Sequence, residues 1–104
     1  TVLPAYQALE MATALGAKAL GWDDEIGMLK PGYKADLILI DLNAAHMIPH
    51  YDIVANIVYS AQAADVDTVI IDGQIVMENR RVTQFDEQEV LAKCQALARD
   101  LIAR

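Results

Sequence analysis

Hydrophobic positions change period along this chain, and each change marks an element. From Pro4 onward, in AYQALEMATALGAKALG, the apolar residues Leu9, Met11, Ala12, Leu15 and Leu20 recur at helical spacing, and Pro4 suits a first helical turn. Gly16 interrupts that pattern, so the preferred reading is two helices, the second over Ala17 to Leu20; tight packing at Gly16 is the other reading. Gly21 suits a C-terminal cap. Trp22, an apolar body with one N–H, reads as a packing anchor in the next loop rather than a substrate platform. The stretch Glu25 to Asp41, EIGMLKPGYKADLILID, is the organising one. It predicts a short strand over Ile26 to Leu29, a type II turn on Pro31-Gly32, and a core strand over Ala35 to Asp41. That strand is a continuous apolar run bracketed by aspartates, a pattern suited to burial on both faces.

Leu42 to Asp52, LNAAHMIPHYD, has no period, contains Pro49 and reads as loop. Ile53, Val54, Ile57, Val58 and Ala61 then mark one face of a short helix over Ile53 to Ala64, with Asp52 as its N-cap. Two β-branched runs, Val66 to Ile71 and Gln74 to Glu78, are joined by Asp72-Gly73, which predicts a hairpin with a type I′ turn. A turn at Glu78-Asn79-Arg80 leads to a brief extended piece, Arg81 to Gln84. Asp86 and Glu89 form a capping box for a last helix, whose apolar face carries Val90, Leu91, Cys94, Leu97, Ala98, Leu101 and Ile102. Arg99 and Arg104 near its end complement the helix dipole. The element order is α+β with few strands, and a sheet this small has open edges.

Composition sharpens that picture. A chain of 104 residues is one domain at most, yet 55% of it is hydrophobic. Either much of its surface is internal, or its apolar faces meet neighbours outside the chain. A net charge of -7 argues against nucleic acid and anionic membrane as partners. The single cysteine, Cys94, cannot form an internal disulfide; it reads as a small packed hydrophobe and fits a reducing, cytoplasmic setting. No apolar run approaches the ~20 residues of a membrane span. The opening Thr1-Val2-Leu3 has no initiator Met and runs straight into helix, so a start inside a longer protein is expected.

The chemistry-bearing residues do not assemble a site by sequence. His46 and His50, four apart, could chelate a metal on one helix face, but Pro49 lies between them and no third ligand stands at metal-ligand spacing. Surface or interface histidines are the expected reading. The hydroxyl and thiol candidates Ser60, Thr13, Thr68 and Cys94 lie in no nucleophile elbow. The glycines are scattered singly, with no phosphate loop. Asp23, Asp24 and Glu25 read as a solvated acidic loop rather than a cation site, and Asp65 and Asp67 as the polar side of a strand. No catalytic, cofactor-binding or metal residue is assigned.

Three stretches carry a resemblance: MATALGAKALGW with its GA-x-ALG, EIGMLKPGYKADLILIDL with IG-x-L-x-x-G-x-x-ADL, and VDTVIIDGQIVMENRRV with V-x-x-V-x-x-DG-x-x-V. Together they resemble the C-terminal end of the metal-dependent amidohydrolase superfamily, in the branch of 5-methylthioadenosine/S-adenosylhomocysteine deaminases and triazine chlorohydrolases. The resemblance spans essentially the whole chain. It implies a parent enzyme with a TIM barrel holding Zn or Fe, which deaminates or dechlorinates a nitrogen heterocycle, and a composite β-sandwich shared by its two ends. Residues 1–22 would match the end of the barrel, 23–85 the sandwich strands with an inserted helix, and 86–104 a C-terminal helix. The family's metal ligands and acid/base Glu lie upstream, so none is carried over and the chain alone is expected to be inert. Expected partners are the missing N-terminal part or a second copy of the chain, in a homo-oligomer. The alternatives are a stand-alone sandwich-type module for self-association or binding, and a small metal-binding protein using His46 and His50.

Overall fold

A computed structural model describes residues 4–49 and 52–103. Two short helices, α1 (Ala5–Ala12) and α2 (Ala14–Ala19), open the chain, and β1 (Leu37–Ile40) and α3 (Ile53–Tyr59) follow. Then come β2 (Val66–Ile71), β3 (Gln74–Glu78), β4 (Arg81–Val82) and α4 (Glu87–Ala103). The strands form one antiparallel sheet in the order β1-β2-β3-β4, so the fold is a mixed α+β one.

Local chemistry accounts for most of these boundaries. Asp72 and Gly73 both take positive φ (51° and 78°), as a type I′ turn requires, and β2 and β3 pair across them. The same backbone signature recurs at Asn79 and Arg80 (50° and 64°), making the β3–β4 connection a second tight hairpin. Gly32 has φ 90° and the Tyr33 N–H reaches the Lys30 carbonyl, the turn expected on Pro31-Gly32. At the end of α2, the Trp22 N–H bonds the Ala17 carbonyl and the Gly21 N–H bonds that of Lys18, a Schellman motif on the glycine named from sequence. The Asp52 carboxylate caps α3, and Asp86 accepts from the Glu89 N–H at the start of α4.

Several expectations change. The helix break falls at Thr13, not at Gly16. The Thr13 N–H turns to the Glu10 carbonyl, and the Thr13 hydroxyl takes the Leu9 carbonyl at 2.8 Å. Gly16 sits inside α2, where a Cβ would meet the Met11 carbonyl oxygen at 2.8 Å, so the glycine marks close packing. Residues 26–29 form no strand: the Glu25 and Ile26 N–H groups fold back on the Trp22 carbonyl, and Gly27 takes φ 96°. The α3 helix stops at Tyr59, and a 3-10 turn, Ala63–Asp65, leads into β2.

The largest departure is burial. β1 is an edge strand with Ile38 and Leu39 about half exposed, whereas burial on both faces was expected. Trp22 is 56% exposed rather than packed, and Cys94 is exposed rather than buried. Among the described residues the only buried apolar side chains are Ala17 and Met47. The Cα radius of gyration is 17.8 Å, against about 13 Å for a compact domain of this length. Accessible surface is 8099 Å², where a globular monomer of 11.4 kDa exposes about 5,800 Å². No helix among the described residues is long and apolar enough to cross a membrane.

Candidate functional site

The aspartates that bracket β1 explain how the sheet is tied at both ends. Asp36 accepts from the Asp72 N–H at 2.6 Å, and the Gly73 N–H bonds the Ala35 carbonyl, so the chain entering β1 holds the tip of the β2–β3 hairpin. At the other end Asp41 accepts from the Asn43 N–H (2.9 Å) and from Arg80 Nη2 (3.0 Å). Arg80 also donates through Nε to the Ala64 carbonyl at 2.8 Å, and its backbone N–H bonds the Asp67 carbonyl. One guanidinium therefore links the end of β1, the 3-10 turn and the β3–β4 hairpin.

Asp65 sits at the centre of this polar end, only 4% exposed. Its Oδ2 accepts from the Gln62 N–H at 2.7 Å and lies 2.6 Å from His46 Nε2. His46 belongs to a 3-10 turn, Ala45–Met47, that places Met47 in the core, so the pair clips the long loop onto the start of β2. The Gln62 N–H, then the His46 bond, hold the Asp65 carboxyl below its ordinary value; the Asn43 N–H, then Arg80, do the same for Asp41.

A folded pKa below the unfolded one contributes stability that is complete above the ordinary carboxylate range and is lost as pH falls through the folded value. Thermal melts from neutral to strongly acid pH should therefore fall off below about pH 4. Asp65→Asn should be less stable at neutral pH and show a shallower acid decline. An unchanged acid profile would count against the role of the clip.

Can this cluster do chemistry? A His–Asp pair activates a protein nucleophile only where a hydroxyl or thiol adjoins the histidine. The Thr13 hydroxyl goes to Leu9, that of Thr68 goes to Asp67, Ser60 caps the end of α3, and Cys94 lies on α4. None of them bonds His46. Asp23, Asp24 and Glu25 are exposed loop residues, with the Asp23 carbonyl accepting from the Tyr33 hydroxyl. His50 lies outside the described residues. Sequence reasoning took Asp65 for a strand-face residue; the readable signal was its place three residues after Gln62, a capping-box spacing.

A second feature is an open apolar groove of about 660 Å³ lined by α1–α2, residues 26–29 and parts of β1 and β2. Leu9, Leu20, Met28, Ile38 and Ile70 line it, and its one carboxylate, Asp36, is already bonded to the hairpin tip. Lining of this kind seats other apolar side chains rather than a polar substrate.

Residues 1–76 match the Amidohydrolase family. The chain belongs to that family.

Within the amidohydrolases, the chain is 65% identical over 103 residues to a 5-methylthioadenosine/S-adenosylhomocysteine deaminase of Syntrophomonas wolfei, covering 99% of this chain and 24% of that protein. It is 50% identical over 104 residues to a 5′-deoxyadenosine deaminase of Methanosarcina mazei, again covering 24% of the relative. Among solved structures it is similar to a zinc-bound adenosine deaminase of Xanthomonas campestris (TM-score 0.87, 29% identity, 97% of this chain and 23% of that one). An atrazine chlorohydrolase of Arthrobacter aurescens, complexed with zinc, matches with a TM-score of 0.80 at 28% identity, over 91% of this chain and 21% of that one. The chain thus spans about a quarter of the length of these amidohydrolase relatives. Among its described residues no three His, Cys, Asp or Glu side chains converge on a metal position, and the His46 Nε2 is bonded to Asp65. These residues do not fit a metal centre.

Proposed function

We propose that this chain is the C-terminal segment of a metal-dependent amidohydrolase that hydrolytically deaminates an adenosine carrying a modified 5′ position. The observation that carries this reading is the 65% identity to a 5-methylthioadenosine/S-adenosylhomocysteine deaminase, sustained over 103 residues that make up 24% of that protein. Deamination is preferred to dechlorination because the 5-methylthioadenosine/S-adenosylhomocysteine deaminase and the 5′-deoxyadenosine deaminase named above are 65% and 50% identical to the chain, and the chlorohydrolase 28%. The segment supplies no catalytic group. Its part is architectural: the sheet forms one share of a composite β-sandwich, and α1–α2 close the end of a barrel built upstream.

The physical support is the uncovered apolar surface. The chain exposes roughly 2,300 Å² more than a globular monomer of its mass, an excess on the scale of an obligate interface. A groove lined by Leu9, Met28 and Ile38 and an edge strand with half-exposed isoleucine and leucine are costly for a free-standing module. Upstream polypeptide of the same protein is the cover this reading assigns to them.

The test is ammonia release from 5′-methylthioadenosine and S-adenosylhomocysteine. The complete protein should convert the adenine to hypoxanthine, while the 104-residue chain alone should give no rate above the uncatalysed background. Turnover by the isolated chain, or none by the complete protein with either nucleoside, would overturn the assignment.

A further inference from the structure

Glycine follows aspartate or asparagine at one place in the 104 residues, Asp72-Gly73. Such a step is chemically labile in an unfolded chain, because glycine has no side chain to shield its amide nitrogen from the preceding carboxyl carbon. Here it forms the turn of the β2–β3 hairpin, with φ of 51° and 78° and Ile71 paired to Gln74. We propose that Asp72 is a site of spontaneous isomerisation to isoaspartate through a succinimide, restrained in the folded protein by Ala35 and Asp36.

The covalent change needs no co-reactant besides water. The Gly73 nitrogen attacks Cγ of the protonated Asp72 carboxyl and a C–N bond forms. The carboxyl hydroxyl leaves as water, taking the amide proton. Water then adds to the main-chain carbonyl carbon of Asp72, and the bond from that carbon to the Gly73 nitrogen breaks. The product runs its main chain through Cβ and Cγ, one methylene longer, and carries the old carbonyl as a side carboxylate. A turn lengthened in this way no longer matches the two-residue loop that sets the β2–β3 register.

The fold opposes the first step. Ring closure requires the Asp72 Cβ and the Gly73 nitrogen to lie nearly eclipsed across the Cα–C bond. A type I′ turn sets ψ of its first central residue at about +30°, which puts the two nearly opposite each other. The turn must therefore open before it can react. The chain entering β1 resists that opening with two bonds. The Asp72 N–H donates to Asp36 Oδ1 at 2.6 Å, and the Gly73 N–H donates to the Ala35 carbonyl at 3.0 Å. They tie the peptide groups on either side of the Asp72 Cα, so its ψ cannot turn while both last. Both bonds lie within this chain, and the site is independent of which nucleoside the protein acts on. Isomerisation then proceeds at the rate of the unfolded chain multiplied by the small fraction of time the hairpin tip is open.

The test compares the complete natural protein, native and in guanidinium chloride, during long incubation at neutral pH. Peptide mapping with mass spectrometry that separates aspartate from isoaspartate reads position 72. Isoaspartate should accumulate there in the unfolded protein, and at least about tenfold more slowly in the native one. Asp36→Ala removes one acceptor and should raise the native rate about tenfold while leaving the unfolded rate unchanged. Asp36→Asn keeps an oxygen acceptor and should raise the native rate less. Hydrogen exchange at the Gly73 amide should quicken by the same factor in Asp36→Ala, which ties the chemistry to opening of the tip. Equal native and unfolded rates, no isoaspartate at position 72 in the unfolded protein, or an unchanged native rate in Asp36→Ala would overturn the proposal.

Discussion

Met47→Ala is expected to lower unfolding stability by about 3 kcal/mol. Met47 is the one large side chain that is fully buried among the described residues, at 0% exposure. It lies in a 3-10 turn of the long loop, where little regular structure would remain to hold the chain if the side chain were lost. Its carbonyl accepts from Asn56 Nδ2 at 2.6 Å, and the same amide reaches the Pro49 carbonyl at 3.0 Å, so the loop is also tied to α3. Truncation leaves a cavity beside the His46–Asp65 clip that the flanking bonds hold open. Met47→Leu keeps most of the volume and should cost less than about 1.5 kcal/mol. Chemical denaturation of both variants measures the difference, and equal midpoints would show that the loop relaxes around the gap.

Gly27→Ala should be nearly as damaging, at about 3 kcal/mol from combined backbone strain and overpacking. Gly27 takes φ 96°, a conformation L side chains rarely adopt. A Cβ there would lie 2.8 Å from the Ala17 Cβ and 3.0 Å from the Thr13 carbonyl oxygen. Ala17 is the other buried apolar residue, so the substitution strikes the contact that seats residues 26–29 on α2. Gly32→Ala, where φ is also positive but nothing lies within 4 Å, separates the two effects by carrying the strain without the collision. It should cost only about 1 kcal/mol. Equal losses at the two glycines would mean that packing against Ala17 contributes nothing.

What could be read from sequence divides along the range of the interactions. The Asp72-Gly73 hairpin, the Pro31-Gly32 turn and the Gly21 cap were legible because glycine, proline and aspartate favour particular φ values within a few residues of themselves. The second hairpin was read only as a turn into an extended piece, since Arg80 at positive φ is not a residue that announces one. The break at Thr13 escaped because a threonine hydroxyl can replace an amide on the Leu9 carbonyl, a substitution that leaves the apolar pattern unchanged. Asp65 was missed as a hub because its partner His46 lies 19 residues away. The apolar pattern of β1 and α4 reports which faces demand cover, not what supplies it. Ile38 and Leu97 therefore satisfied the pattern while remaining exposed. The strand expected over residues 26–29 failed for a related reason: a strand exists only with a partner, and none of β1–β4 pairs there.

That the chain works as part of a longer enzyme is tested most directly by the intact mass of the natural protein together with its metal content. The prediction is a polypeptide of about four times the 11.4 kDa of this chain, with about one zinc or iron per polypeptide bound by residues outside it. A natural product of about 11.4 kDa, folded and stable without further polypeptide, would contradict it.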